Sequence, residues 1–253
     1  SDKILKELKK QDQFKRNLEQ RDNVGRYYYT KKENYGLLYL KNAVRGYILK
    51  EGTLDLDIKN CHPTLLSQLI KEQDLNSKEL DEYIKNREET LKKHNFDKDT
   101  FLTMINNKNF KTENQFLAKV HETIYKKFIP IMRNRHQEFY NECISMCNKK
   151  KKTGNIEGTF ISRLLQEAEQ DVMFYCVEFL NSNNIEYGCL IYDGIHIYEP
   201  INSETITDLC KYIYKGCGYN VKFSLKEFPK QDLIASVVKS NKKEEIKRSQ
   251  QTF

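Results

Sequence analysis

Asp57 and Asp193 are the residues of this 253-residue chain whose type and setting point most directly to chemistry. Asp57 closes the alternating run Thr53-Leu54-Asp55-Leu56-Asp57-Ile58, which reads as a strand. Asp193 falls at the tip of a hairpin read over 186–198, where Asp193-Gly194 separates two apolar runs. Carboxylates are costly on strands unless they are exposed or paired. A strand-end Asp beside a hairpin-tip Asp is the arrangement that holds two Mg²⁺ (or Mn²⁺) ions in nucleotidyl transfer. There, two ions about 3.5–4 Å apart clamp the attacking 3′-oxygen and the leaving pyrophosphate. Asp55 shares the strand face of Asp57 by the two-residue period and is a candidate third acid. A plainer reading stays open: Asp57 ends its strand or caps the next helix, and Asp193 is a turn residue.

These positions need a scaffold, and the sequence supplies one. Residues 2–22 read as a polar helix with Ile4, Leu5, Leu8, Phe14 and Leu18 on one stripe. The aromatic, basic stretch Arg26-Tyr27-Tyr28-Tyr29 follows. After the Asp57 strand, His62-Pro63 opens a helix, since Pro fits a first turn. Ser77 to Asn95 and Lys98 to Ile105 are helical. Phe116 to Cys147 reads as one long helix or two, interrupted at Pro130. A basic loop, Lys149 to Lys152, precedes a long amphipathic helix over 159–180. Strands at 186–191 and 195–198, a helix near 203–215 and a strand near 221–228 complete an α+β pattern: a small antiparallel sheet with helices packed on one face.

Composition narrows the function classes. Lys+Arg outnumber Asp+Glu by 43 to 36, a formal charge of +7 that suits nucleic acid but does not demand it. Aromatic residues at 11% can build a core, which excludes a wholly disordered chain. No stretch approaches the roughly 20 apolar residues of a membrane span, and the charged N-terminus lacks a signal-peptide core. Seven cysteines, an odd number with no CxxC spacing, predict reduced thiols in an intracellular compartment such as cytoplasm, nucleus or viral factory. GxxxxGK[ST], GxGxxG and HExxH motifs are absent, so no P-loop helicase lies within this stretch. The stretch is expected to belong to a longer protein.

Four segments, in order, resemble the palm and fingers of family A nucleic-acid polymerases, the group of DNA polymerase I and the single-subunit RNA polymerases. Asp57-Ile58-Lys59-Asn60-Cys61-His62-Pro63 is similar to motif A, and Lys98-Asp99-Thr100-Phe101-Leu102-Thr103-Met104-Ile105-Asn106 to motif B. Glu157-Gly158-Thr159 is similar to the Gln-Gly-Thr start of the helix before motif C, and Tyr192-Asp193-Gly194 to motif C itself. The Asn-x-His-Pro and Asp-Gly-Ile forms also resemble replication proteins of giant viruses and protist mobile elements. The resemblance implies that Asp57 and Asp193 hold the metals, with the Ile58 carbonyl as a further ligand. It implies that Lys98 meets the triphosphate, that Asn106 lies near the templating base, and that His62 lines the sugar pocket. Its departures are Tyr192 for His, Gly194 for the second acid, and His62 for the sugar-discriminating Glu.

The implied layout is an N-terminal helical and aromatic region (1–50), a palm from 51–75 and 155–235, a helical fingers-like insertion (76–154) and a polar tail (236–253). The implied partners are a DNA or RNA template and primer, nucleoside triphosphates and a helicase in the same or a partner chain. Arg163 and Gln166, one helical turn apart, are candidates to reach a primer–template minor groove. Arg26 with its tyrosines suits base stacking. Arg87, Arg133, Arg135 and Lys149 to Lys152 are candidates for backbone phosphates. Three rivals stand beside a primase or small polymerase: an archaeo-eukaryotic-type primase using Asp55-Leu56-Asp57, a two-metal nuclease, and a non-catalytic nucleic-acid-binding module derived from a palm.

Overall fold

In the computed structural model, the described residues are 18–20, 27–29, 49, 52–149 and 153–228. Two short strands, β1 (Leu18–Gln20) and β2 (Tyr27–Tyr29), pair antiparallel with Leu18 opposite Tyr29. The helix expected over 2–22 is therefore corrected at its end, where the chain is extended and finds a partner strand.

A second sheet carries the rest of the fold. β3 (Leu54–Ile58), β4 (Tyr187–Ile191), β5 (Gly194–Ile197) and β6 (Phe223–Glu227) form an antiparallel sheet in the order β4-β5-β3-β6. The strand before the helical insertion thus lies between two strands that follow it. Register sorts the residues by face. Leu54, Leu56 and Ile58 oppose Ile197, Ile195 and, on β6, Leu225 and Phe223. That face is buried and packs on helices. The other face carries Asp55, Asp57, Gly194, His196, Ser224 and Lys226, since Asp57 opposes Gly194 and Ser224 while Asp55 opposes His196 and Lys226. The chain is α+β, with helices against one face of a small antiparallel sheet.

The helices follow their caps. α1 (Cys61–Lys71) starts at the left-handed Asn60 (φ 49°) and buries Leu65, Leu66, Leu69 and Ile70. The single helix expected over 77–95 is two, α2 (Lys78–Lys85) and α3 (Arg87–His94), because the chain opens to φ −149° at Asn86. α4 (Lys98–Ile105) begins at Asp97, whose carboxylate accepts from the Thr100 amide at 2.7 Å. The expected long helix divides into α5 (Gln115–Glu122), a π-helical turn (Thr123–Phe128), α6 (Ile129–Arg135) and α7 (Gln137–Lys149). Pro130 sits in the first turn of α6, as a residue without an amide hydrogen should, and the break after α6 falls at His136. α8 (Ile156–Ser182) runs for 27 residues through the core, against α1, α7 and α9 (Ser203–Cys217).

Candidate active site

The turn between β4 and β5 consists of Tyr192 and Asp193, with Gly194 already the first residue of β5. The expected tip at Asp193-Gly194 is corrected by one residue. Tyr192 takes up the left-handed conformation (φ 57°) that Gly would adopt without steric cost. Gly194 is needed elsewhere. A Cβ on it would lie 3.2 Å from Asp55 Oδ1 and 3.3 Å from Asp57 Oδ1. Its bare surface is what allows the two carboxylates of β3 to converge.

Asp193 reaches the same end of the sheet. Its carbonyl accepts from the Ile58 amide at 3.0 Å, so the turn is bonded to the residue after Asp57. Lys59 N donates to Lys222 O at 2.8 Å, which closes the β3–β6 side of that end. Ile58 itself is buried by its side chain. Asp57 accepts an ion pair from Lys226, with Nζ 2.8 Å from Oδ2. Lys226, Ser224 and His196 are residues that motif reasoning missed. Their signal was the two-residue alternation of β5 and β6, which becomes informative only once the register is known. His196 is fully buried and meets Phe228 edge-on, with ring centroids 4.9 Å apart.

His62, in the first turn of α1, is held from below. Its Nε2 lies 3.0 Å from Oε2 of Glu169, a carboxylate on α8 with no exposed surface. Cys61 Sγ lies 3.9 Å from the same oxygen. Glu169 also escaped the sequence reading, because nothing in a helix's own pattern reveals which distant residue a buried carboxylate will meet. Arg87, a candidate for phosphate contact, is half-buried, and its Nη1 donates to Asn60 Oδ1 in the turn after β3 at 3.0 Å.

Asn106 ends α4 on a groove of about 560 Å³ lined by Asp99, Leu102, Thr103, Asn106, Asn107 and Asn155. Its Nδ2 donates to Leu102 O at 2.8 Å, while its Oδ1 is buried with no hydrogen-bond partner among the described residues. The start of α8 docks here. Asn155 donates to Asn106 O at 2.8 Å and accepts from Lys108 N at 3.0 Å, and Lys108 pairs with Glu157. Gly158 allows that approach, since any Cβ would overlap Asn106 O and the Asn155 amide. The segments similar to motif B and to the pre-motif C helix are thus in direct contact. Lys98, at the exposed start of α4, is not among the residues that line the groove.

Arg163 and Gln166 are half-buried on α8. Gln166 Nε2 donates to Ser162 Oγ at 3.3 Å, and its Oε1 is buried without a hydrogen-bond partner among the described residues. Arg163 is near α7, where its charge opposes the burial that pushes the Cys143 thiol up to about 11. Arg133 and Arg135 are exposed in the last turn of α6, with the Arg133 guanidinium 5.8 Å from the Tyr140 ring centroid. Arg26 and Lys150 to Lys152 lie outside the described residues.

The carboxylates fit a hard divalent cation. Mg²⁺ is commonly held by one or two carboxylates and completes its shell with substrate phosphates and water. Asp55 and Asp57 converging on Gly194 offer such a pair. Among the described residues, no three His, Cys, Asp or Glu side chains are grouped to hold a metal by themselves.

The chain is similar to a Sputnik virophage protein named "Putative helicase V13". The two are 26% identical over 232 residues, covering 82% of this chain and 28% of that protein. This chain therefore spans little more than a quarter of the relative. No family model matches the chain, and no solved structure matches it. No helix among the described residues is long and apolar enough to cross a membrane. Cys143, Cys147, Cys176, Cys210 and Cys217 are free thiols.

Proposed function

We propose that this chain is a template-dependent nucleotidyltransferase, a primase or small polymerase module acting on DNA or RNA. The observation that carries the reading is the register at one end of the sheet. Asp57 pairs with Gly194, and the Ile58 amide donates to the Asp193 carbonyl, so the backbone brings two acids 136 positions apart to the same end of the sheet. The similarity to a helicase-named virophage protein supports a role in replication, with a helicase elsewhere in a longer chain or in a partner.

In this reading Asp57 and Asp193 hold Mg²⁺ or Mn²⁺, with Asp55 and the Ile58 carbonyl as further donors. The bound ions would supply charge stabilisation for the attacking 3′-oxygen and the leaving pyrophosphate. The protein's own part is position and electrostatics. Asp57, Asp55 and Asp193 orient oxygen donors on a rigid sheet end. His62, steadied by Glu169, lines the sugar site. Asn106 and the groove beside α8 face the base pair, and Lys98 neutralises triphosphate from the start of α4. Arg163 and Gln166 contact the primer–template, and Arg26, Arg133 and Arg135 meet phosphates further out.

A second reading keeps the metal chemistry but assigns it to Asp55 and Asp57 as a DxD pair with Asp193 as the later acid, as in archaeo-eukaryotic-type primases. The convergence of both Oδ1 atoms on Gly194 favours it. One experiment separates the readings. The chain is incubated with labelled primer–template or single-stranded template, all eight nucleotides and Mg²⁺ or Mn²⁺, beside Asp55→Ala, Asp57→Ala and Asp193→Ala. Synthesis lost in Asp57→Ala and Asp193→Ala is the expected result. Synthesis that largely survives Asp55→Ala favours the palm pair, and synthesis lost as fully in Asp55→Ala as in Asp57→Ala favours the DxD pair. Nucleic-acid binding without synthesis, unchanged in all three variants, would overturn both in favour of a binding module.

A further inference from the structure

We propose that Lys226 is a built-in counter-cation of the candidate metal site: it holds Asp57 in the ion-free protein, yields the carboxylate to a divalent cation, and then serves the phosphates of the nucleotide. The inference rests on the metal-dependent reading of Asp57.

The geometry assigns the two oxygens of Asp57 to different tasks. Oδ1 turns toward Asp55 Oδ1 over the bare surface of Gly194, while Oδ2 takes the Lys226 ammonium at 2.8 Å. Lys226 stands directly opposite Asp55 in the β3–β6 register and diagonal to Asp57, so one side chain is within reach of both carboxylates. Two carboxylates brought together on one strand face repel each other, and an ammonium offsets that repulsion. A divalent cation does the same with more charge, and the lysine then becomes surplus.

The position also permits release. Among the described residues β6 is an edge strand of the sheet, and the Lys226 side chain is 56% exposed against 29% for Asp57. An ammonium on a flexible four-carbon stem at an edge can swing into solvent or onto an incoming anion. Exposed ion pairs contribute little, so displacing this one costs a factor of about two to five in cation affinity. A buried pair would lock the site; this one only occupies it.

The test is Mn²⁺ binding, followed by loss of the free-ion EPR signal, for the whole chain and for Lys226→Met, Lys226→Arg and Asp57→Asn. Binding of a fluorescent nucleoside triphosphate at saturating Mn²⁺ is measured on the same proteins. Lys226→Met is expected to bind Mn²⁺ about two- to fivefold more tightly and the triphosphate several-fold more weakly, with Lys226→Arg close to the parent and Asp57→Asn losing Mn²⁺. These opposite signs separate the role from a general structural one. Mn²⁺ binding that depends on Asp57 but is unchanged or weaker in Lys226→Met would overturn the counter-cation while leaving the metal site standing. Mn²⁺ binding that is absent, or indifferent to Asp57→Asn, would overturn both.

Discussion

Gly194→Ala isolates the geometry of the carboxylates from the stability of the fold. The added methyl would sit 3.2 Å from Asp55 Oδ1, 3.3 Å from Asp57 Oδ1 and 3.5 Å from Leu56 O. Only the two carboxylate oxygens fall inside the comfortable separation of about 3.5 Å, and both end side chains that can turn aside. Gly194 lacks a left-handed φ, so alanine meets no backbone penalty there. Gly194 opens β5, so alanine recovers less than the roughly 0.5–1 kcal/mol that a mid-strand glycine costs. Net stability should stay within about 1 kcal/mol of the parent. The two Oδ1 atoms, however, must separate by a few tenths of an ångström. A misplacement of 1 Å can cost about a hundredfold in rate, so about a tenfold loss of synthesis is expected, with weaker Mn²⁺ binding. Urea unfolding gives the stability and single-nucleotide primer extension gives the rate. A Gly194→Ala protein that extends as fast as the parent and binds Mn²⁺ equally well would refute the idea that this convergence is the functional geometry.

Three further expectations follow from the packing. Gly158→Ala should destabilise by about 3–5 kcal/mol, since a Cβ there overlaps a backbone oxygen and displaces the two Asn155 hydrogen bonds that join α8 to the end of α4; calorimetry showing a loss below about 1 kcal/mol would contradict the tight docking. Glu169→Ala should cost about 1–3 kcal/mol, since it removes the buried partner of His62, while Glu169→Gln recovers most of it; equal urea midpoints for the two variants would remove the His62 bond as the cause. Burial pushes the Cys176 thiol and the Tyr83 and Tyr219 hydroxyls up to about 12, from ordinary values of 9.0 for the thiol and 10.0 for the hydroxyls. Folded values raised above unfolded ones mean stability that is complete below pH 9 and is lost as pH climbs toward 12. A pH-jump followed by circular dichroism should show base unfolding in that window, and native Cys143 and Cys176 should resist alkylation at about pH 8; rapid alkylation there would contradict the packing of α7 and α8.

The sequence alone determined whatever depends on local period. The alternation of Leu54 to Ile58 shows a half-buried strand and puts Asp55 and Asp57 on its polar face, because side chains of one strand alternate whatever the partner. The apolar stripe of α8 is legible for the same reason. Breaks that depend on one backbone angle, at Asn86 and at His136, were missed, since helical period continues across them. Tertiary structure alone decided which residues share the site. Strand register set Gly194 beside the two acids and Lys226 across from Asp55. Helix docking brought Glu169 to His62 over a separation of 107 positions. Those meetings are fixed by how the apolar faces of sheet and helices bury one another. That burial acts on area without regard to sequence distance, so no local pattern could have announced them.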